Sequence, residues 1–185
     1  MAKGQIGDAV KMDGRDDHVN VEGALQALRS GVGGVSVSCW LRTTTTRLQF
    51  IFDVGLYGDA SFTLYVQEDE ATFRVTPKAG GVDLKFPLDA AEWTHVVVVW
   101  DGTQQVAYVD GEEVGKKKTS RVGKLDQNTL GDSHFLLGSQ SKTASRAGRY
   151  FLGEFDEFAI WTRALSPTEV EKLYAKGEKG QMLLA

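Results

Sequence analysis

WTHVVVVWDGTQQVAYVDGEEV, residues 93–114, is the stretch whose reading decides the fold. Four valines in a row, Val96 to Val99, lead to Trp100 and then to Asp101-Gly102. Valine is stiff at χ1 and crowds a helix, whereas it fills a pleated, half-buried surface well. Asp-Gly tolerates the positive φ that a tight hairpin demands. A second such pair, Asp110-Gly111, ends the next run, so strands are predicted over 93–100 and 104–109.

Similar short runs bounded by turn residues lie on both sides. Strands are predicted over 9–12, 18–21, 35–42, 48–54, 61–67, 71–76, 82–87, 134–138 and 153–162, and a short helix over 22–29. Many short strands at intervals of about ten residues point to an all-β, antiparallel two-sheet sandwich. The chain end carries a helix signal. Ser166-Pro167-Thr168-Glu169 supplies an N-cap, a proline at the first helical position and a glutamate at the third, which together make a capping box. Val170, Leu173 and Tyr174 give that helix one apolar face, and Gly177 is its expected stop. No repeat or linker divides residues 1–185, which read as a single domain.

Composition excludes several classes. Lys plus Arg is 21 and Asp plus Glu is 25, a formal charge of −4, so there is no global attraction to nucleic acid or to an anionic membrane. No apolar run approaches the roughly 20 residues of a spanning helix. MAKGQIGDAV lacks the apolar stretch of a secretory signal, as expected of a protein that works where it is made or of a trimmed domain. The single cysteine, Cys39, lies in the alternating run VSVSCWL and reads as an inert packed thiol. His18, His95 and His134 lie far apart in strand patterns and form no zinc motif.

The order of GQIGDAVKMDGRDDHVNV, VSVSCWLRT, WTHVVVVWDG, VAYVDGEEV and GEFDEFAIWTRALSPTEVEKLY resembles the laminin-G-like and pentraxin-like branch of the concanavalin A-like jelly rolls. The resemblance implies a jelly roll closed by a short C-terminal helix. It also implies a cysteine pair, but Cys39 fits the first position while Val97 occupies the second, so no disulfide is expected. Pentraxins hold calcium on acidic loops to bind ligands. Asp59, beside Tyr57, matches an acid of the first loop. The second loop reads GSQSKTASRAGRY, where Gln140 matches one ligand position but Lys142, Arg146 and Arg149 bring positive charge. Calcium takes six to eight oxygens, several of them anionic, so the double-calcium ligand site is not expected. Binding through this loop is expected to be calcium-independent and to favour anionic groups, with Tyr57 stacking and Asp59 accepting hydroxyls.

Alternation along 153–162 puts Asp156 on the face of Phe158 and Ile160, and alternation along 17–21 puts Asp17 on the face of Val19 and Val21. First and last strands of such jelly rolls lie close together, and bare buried carboxylates are costly. Either one structural calcium bridges Asp17 and Asp156, with Asp16, or backbone N–H groups and arginines satisfy them. Glu154 and Asp156 share a face, but the third acid of the glucanase pattern is missing, so glycoside hydrolysis is disfavoured. Lys116-Lys117-Lys118 reads as a solvated edge that blocks strand addition, or as an anion site. The favoured function is non-catalytic binding of a glycan or other surface ligand through rim loops. The alternative is an assembly module, such as a homo-oligomer subunit, a surface protein or a virion component.

Overall fold

The computed structural model describes residues 2–55, 61–76, 81–119, 125–126, 130, 134–140 and 149–182. Strands are numbered in chain order. One sheet runs β1 (Ala2–Lys3), β2 (Asp8–Asp13), β15 (Leu152–Trp161), β5 (Val35–Arg42), β10 (Thr94–Trp100), β11 (Gln104–Val109), β12 (Glu112–Lys118). The second runs β3 (Val19–Asn20), β14 (Phe135–Leu137), β6 (Gln49–Gly55), β7 (Ser61–Gln67), β8 (Glu70–Thr76), β9 (Val82–Pro87). A small ribbon pairs β4 (Ser30–Val32) with β13 (Leu125–Asp126). Two helices are described, α1 (Glu22–Arg29) and α2 (Pro167–Glu178). All ladders described are antiparallel, and the first long strand lies beside the last, as β2 pairs with β15.

The two sheets close on one apolar core. Val35, Val37, Cys39 and Leu41 of β5 and Val96, Val98 and Trp100 of β10 face Phe52, Phe62 and Phe73 of the other sheet. Phe52 stacks on Phe62 at 5.2 Å, and Phe62 meets Phe73 edge-on at 5.2 Å, arrangements that aromatic quadrupoles favour. Leu25 and Leu28 bring α1 into the same core. Cys39 is 1% exposed, and burial pushes its thiol up to about 12. The residue across the ladder from Cys39 is Val96; Val97 stands opposite Ser38 and faces the other side of the sheet. Cys39 is the one cysteine of the chain and has no thiol across this ladder.

A second, smaller core lies on the outer face of the seven-stranded sheet. Val97, Val99, Val106 and Tyr108 pack there against Leu165 and Val170. The capping box forms as the sequence predicts. Glu169 N donates to Ser166 Oγ at 3.4 Å, and Ser166 N donates to Glu169 Oε2 at 2.8 Å. Trp40 belongs to this layer: its ring lies 5.8 Å from Tyr174 and 5.1 Å from His95. The helix thus covers a sheet face rather than a sheet edge.

Two strand readings need physical correction. β12 was not predicted, because EEVGKKK has no apolar alternation. It forms as the edge partner of β11 through backbone bonds, with Lys116, Lys117 and Lys118 on the free edge, where charge discourages further strand addition. The parity of β15 breaks at Glu157, whose φ is 48° and where the register with β5 shifts between Asp156 and Ala159. This bulge carries one extra residue. Phe155 therefore faces the core, Asp156 faces outward, and Phe158 and Ile160 return inward.

Candidate functional site

The outer faces of the two sheets differ. α2 closes one. Among the described residues no helix covers the other, since α1 contributes to the main core and α2 to the second cluster. That open face is built by strand alternation, which sends one side chain in two away from the core. One row crosses five strands: Leu136, Asp53, Thr63, Arg74, Asp83. The next row is Phe50, Tyr65, Thr72, Lys85.

Polar groups on this face are held by one another. Thr63 Oγ1 donates to Asp53. Arg74 grips Asp83 through its side edge, Nε to Oδ1 and Nη2 to Oδ2, both at 2.6 Å. The Arg74 guanidinium holds the Asp83 carboxyl below the usual range. Lys85 Nζ lies 2.6 Å from Glu70 Oε1. Asp53, Thr63, Thr72 and Thr76 are all buried although they point away from the core. The result is a tightly packed polar layer with one aromatic pair, buried Phe50 and half-buried Tyr65, whose centroids lie 5.4 Å apart.

Gln140 and Arg149, two of the six ligand candidates, come together here. Arg149 Nη1 donates to Gln140 Oε1 at 2.5 Å, and the guanidinium lies over the Phe50 ring at 6.0 Å. Backbone fixes the position, because Phe50 N donates to Arg149 O at 3.2 Å. Gln140 is only 6% exposed. Tyr57, Asp59, Lys142 and Arg146 lie outside the described residues.

The acids separate into two places. Asp16 and Asp17 are exposed and join Asp13, with ligand oxygens of all three within 4.8 Å of one another. Asp13 N donates to Asp17 Oδ2 at 2.9 Å, and Arg15 N to Asp13 Oδ1 at 2.9 Å. Asp156 is not part of this group. β2 and β15 put Asp13 opposite Leu152, four residues from Asp156, or about 13 Å along an extended strand. The Asp156 carboxylate instead accepts Ile6 N at 2.7 Å and Glu157 N at 2.8 Å. Backbone satisfaction, the second sequence alternative, is what the geometry gives Asp156. Glu154 is engaged by Arg42 Nη2 at 2.7 Å.

Asp13 escapes sequence reasoning because it precedes Gly14, a pair whose local chemistry reads as a turn and not as a ligand. Sequence reasoning also misses Tyr65, Thr72 and Arg74: alternation marks them as outward, but nothing local says which sheet keeps an uncovered face. No helix among the described residues is long and apolar enough to cross a membrane.

Two antiparallel sheets packed face to face, with the first long strand beside the last and one outer face covered by α2, define a jelly-roll β-sandwich. Residues 13–171 match the laminin-G-type model of the concanavalin A-like lectin/glucanases superfamily, and the chain belongs to that family. The human adhesion G-protein coupled receptor D1 is 28% identical over 116 residues, 61% of this chain. The chain spans 11% of that receptor's length. Among solved structures, the CBM40 of Ruminococcus gnavus IT-sialidase bound to α2,3-sialyllactose superposes with a TM-score of 0.71 at 14% identity, covering 90% of this chain and 96% of that one. The heptameric SAP-like pentraxin of Limulus polyphemus gives 0.60 at 15% identity, covering 78% and 70%. At these identities the likeness is one of fold.

Proposed function

We propose that this domain is a non-catalytic binding module that takes a glycan on the outer face of the six-stranded sheet, beside Gln140 and Arg149. The observation that carries the reading is the asymmetry of the two outer faces. One is apolar and sealed by α2; the other presents Tyr65, Arg74, Asp83 and Lys85 with no covering helix among the described residues. Ligand sites combine an apolar or aromatic surface with a few placed polar groups, and Phe50 with Tyr65 supplies the former. Tyr57, Asp59, Lys142 and Arg146 remain the loop candidates for further contacts. The sialyllactose complex of the CBM40 neighbour supports a sugar as the ligand class. A non-catalytic role is supported by the two acids a retaining glycosidase would need. Glu154 is held by Arg42, and Asp156 by two backbone N–H groups.

A glycan array tests this reading. Wild-type protein should bind a restricted set of glycans, and Tyr65→Ala with Lys85→Ala should lose those signals while keeping the wild-type melting temperature within a few degrees. Binding that survives both substitutions would put the site elsewhere.

Asp13, Asp16 and Asp17 are the residues that would hold a structural calcium. Three carboxylates in reach of one point suit a hard cation, which would complete its shell with carbonyls and water. Its role would be to order the turn between β2 and β3. A ligand that binds only the native state at a hundred times its Kd adds about 2.7 kcal/mol, which for a domain of this size raises the melting temperature by on the order of 5–10 °C. Chelator should reverse that rise and leave glycan affinity unchanged at temperatures where the domain stays folded. An identical melting curve with calcium and with chelator would remove the ion from the account.

A further inference from the structure

We infer that Arg149 reads a carboxylate, so that the glycan taken by the open face carries a uronic or sialic acid; this rests on the glycan-binding reading above. Two arginines on the same sheet face carry the argument. Arg74 presents its Nε–Nη2 edge to both oxygens of Asp83. That is the side-on fork by which a planar guanidinium matches a planar carboxylate. Among the described residues nothing engages the same edge of Arg149. Its Nη1 is used on Gln140 Oε1, its stem end is fixed by the bond from Phe50 N to its carbonyl, and its Cζ lies over the Phe50 ring at 6.0 Å. None of the ion pairs among the described residues involves it.

Gln140 makes this a prepared group rather than a loose surface cation. An amide oxygen holds the guanidinium without neutralising it, as a carboxylate at that position would. Gln140 is itself 94% buried, the complement of its 6% exposure, so it holds Arg149 from within the protein. The orientation is set before a ligand arrives, which removes part of the ordering cost of binding. Tyr65, whose ring centre lies 5.4 Å from that of Phe50, offers a ring and a hydroxyl on the same face for the pyranose that bears the carboxylate. Among the described residues of the face, Arg74 is matched by Asp83 and Lys85 by Glu70. One fork among the described residues is therefore left for one planar monoanion.

The probes are methyl glycosides of N-acetylneuraminic acid and of glucuronic acid, each beside its methyl ester, with galactose 6-sulfate as a tetrahedral anion. Affinities are read by NMR titration of the wild-type domain. The inference expects at least one acid to bind about tenfold or more tighter than its ester, the scale of a lost charged hydrogen-bond pair, and tighter than the sulfate. Arg149→Lys should lose most of that preference although it keeps the charge, and Gln140→Ala should weaken it at an unchanged salt dependence. The ester arm uses unaltered protein, so it stands even if a variant fails to fold. Equal affinity for acid and ester, or for carboxylate and sulfate, would overturn the carboxylate inference and leave the glycan reading intact. Absence of binding by every sugar on both the array and this panel would overturn both.

Discussion

Trp40→Ala should destabilise the domain by about 3–5 kcal/mol, the range for removing a buried tryptophan, and should loosen α2 before the rest of the fold. Trp40 is 2% exposed. It is the floor on which the helix sits: a Cβ placed on Gly177 would come within 2.5 Å of Trp40 Nε1 and 2.6 Å of Cζ2. Truncation therefore leaves a cavity directly under the helix backbone. Its indole N–H has no hydrogen-bond partner among the described residues. Trp40→Phe should consequently be much milder, since it keeps the ring between His95 and Tyr174 and forfeits no bond. Urea unfolding gives the loss, and hydrogen exchange should place the first loss of protection in residues 167–178. A cost near 1 kcal/mol, or protection lost evenly across both sheets, would mean that the helix is not anchored through this ring.

Lowering the pH from 7 to 4.5 should cost the wild-type domain stability that His95→Gln does not lose. His95 is fully buried, with Nε2 2.8 Å from Ser38 Oγ and Nδ1 without a partner among the described residues. Burial pushes its pKa down to about 4. The unfolded chain titrates near 6.5, so below that pH the unfolded state binds a proton that the folded state refuses. Stability is therefore fully present above about 6.5 and is lost as pH falls toward 4, by on the order of 3 kcal/mol in all. Asp110, whose carboxyl accepts His95 N at 2.9 Å, works in the opposite direction, because burial raises its pKa. Comparison with His95→Gln cancels that contribution, and parallel pH slopes for the two proteins would contradict a buried neutral imidazole.

Much of the fold was legible because it rests on local chemistry. The valine run, the two Asp-Gly turns and the capping box each name their own structure, and the strands over Val35–Arg42, Ser61–Gln67, Val82–Pro87 and Gln104–Val109 fall where alternation puts them. β12 was illegible because its cause lies in β11, which offers an edge to pair with. The pairing of Asp17 with Asp156 failed for a related reason. Alternation counts residues, and one bulge at Glu157 changes the count, turning Asp156 outward onto Ile6 N. The candidate site was half legible. Gln140 and Arg149 stand out as replacements for acids in a loop, whereas Tyr65, Thr72 and Arg74 become significant only once α2 is seen to choose the other sheet.

That choice makes the central claim open to one direct measurement. Amide shifts of the labelled domain should be followed while the strongest glycan from the array is added. The account predicts that the perturbed residues cluster on β7, β8 and the stretch at Gln140 and Arg149, with Tyr65 and Arg74 among them and α2 unmoved. Perturbations centred on Asp13 to Asp17 or on α2, with the six-stranded sheet silent, would contradict it.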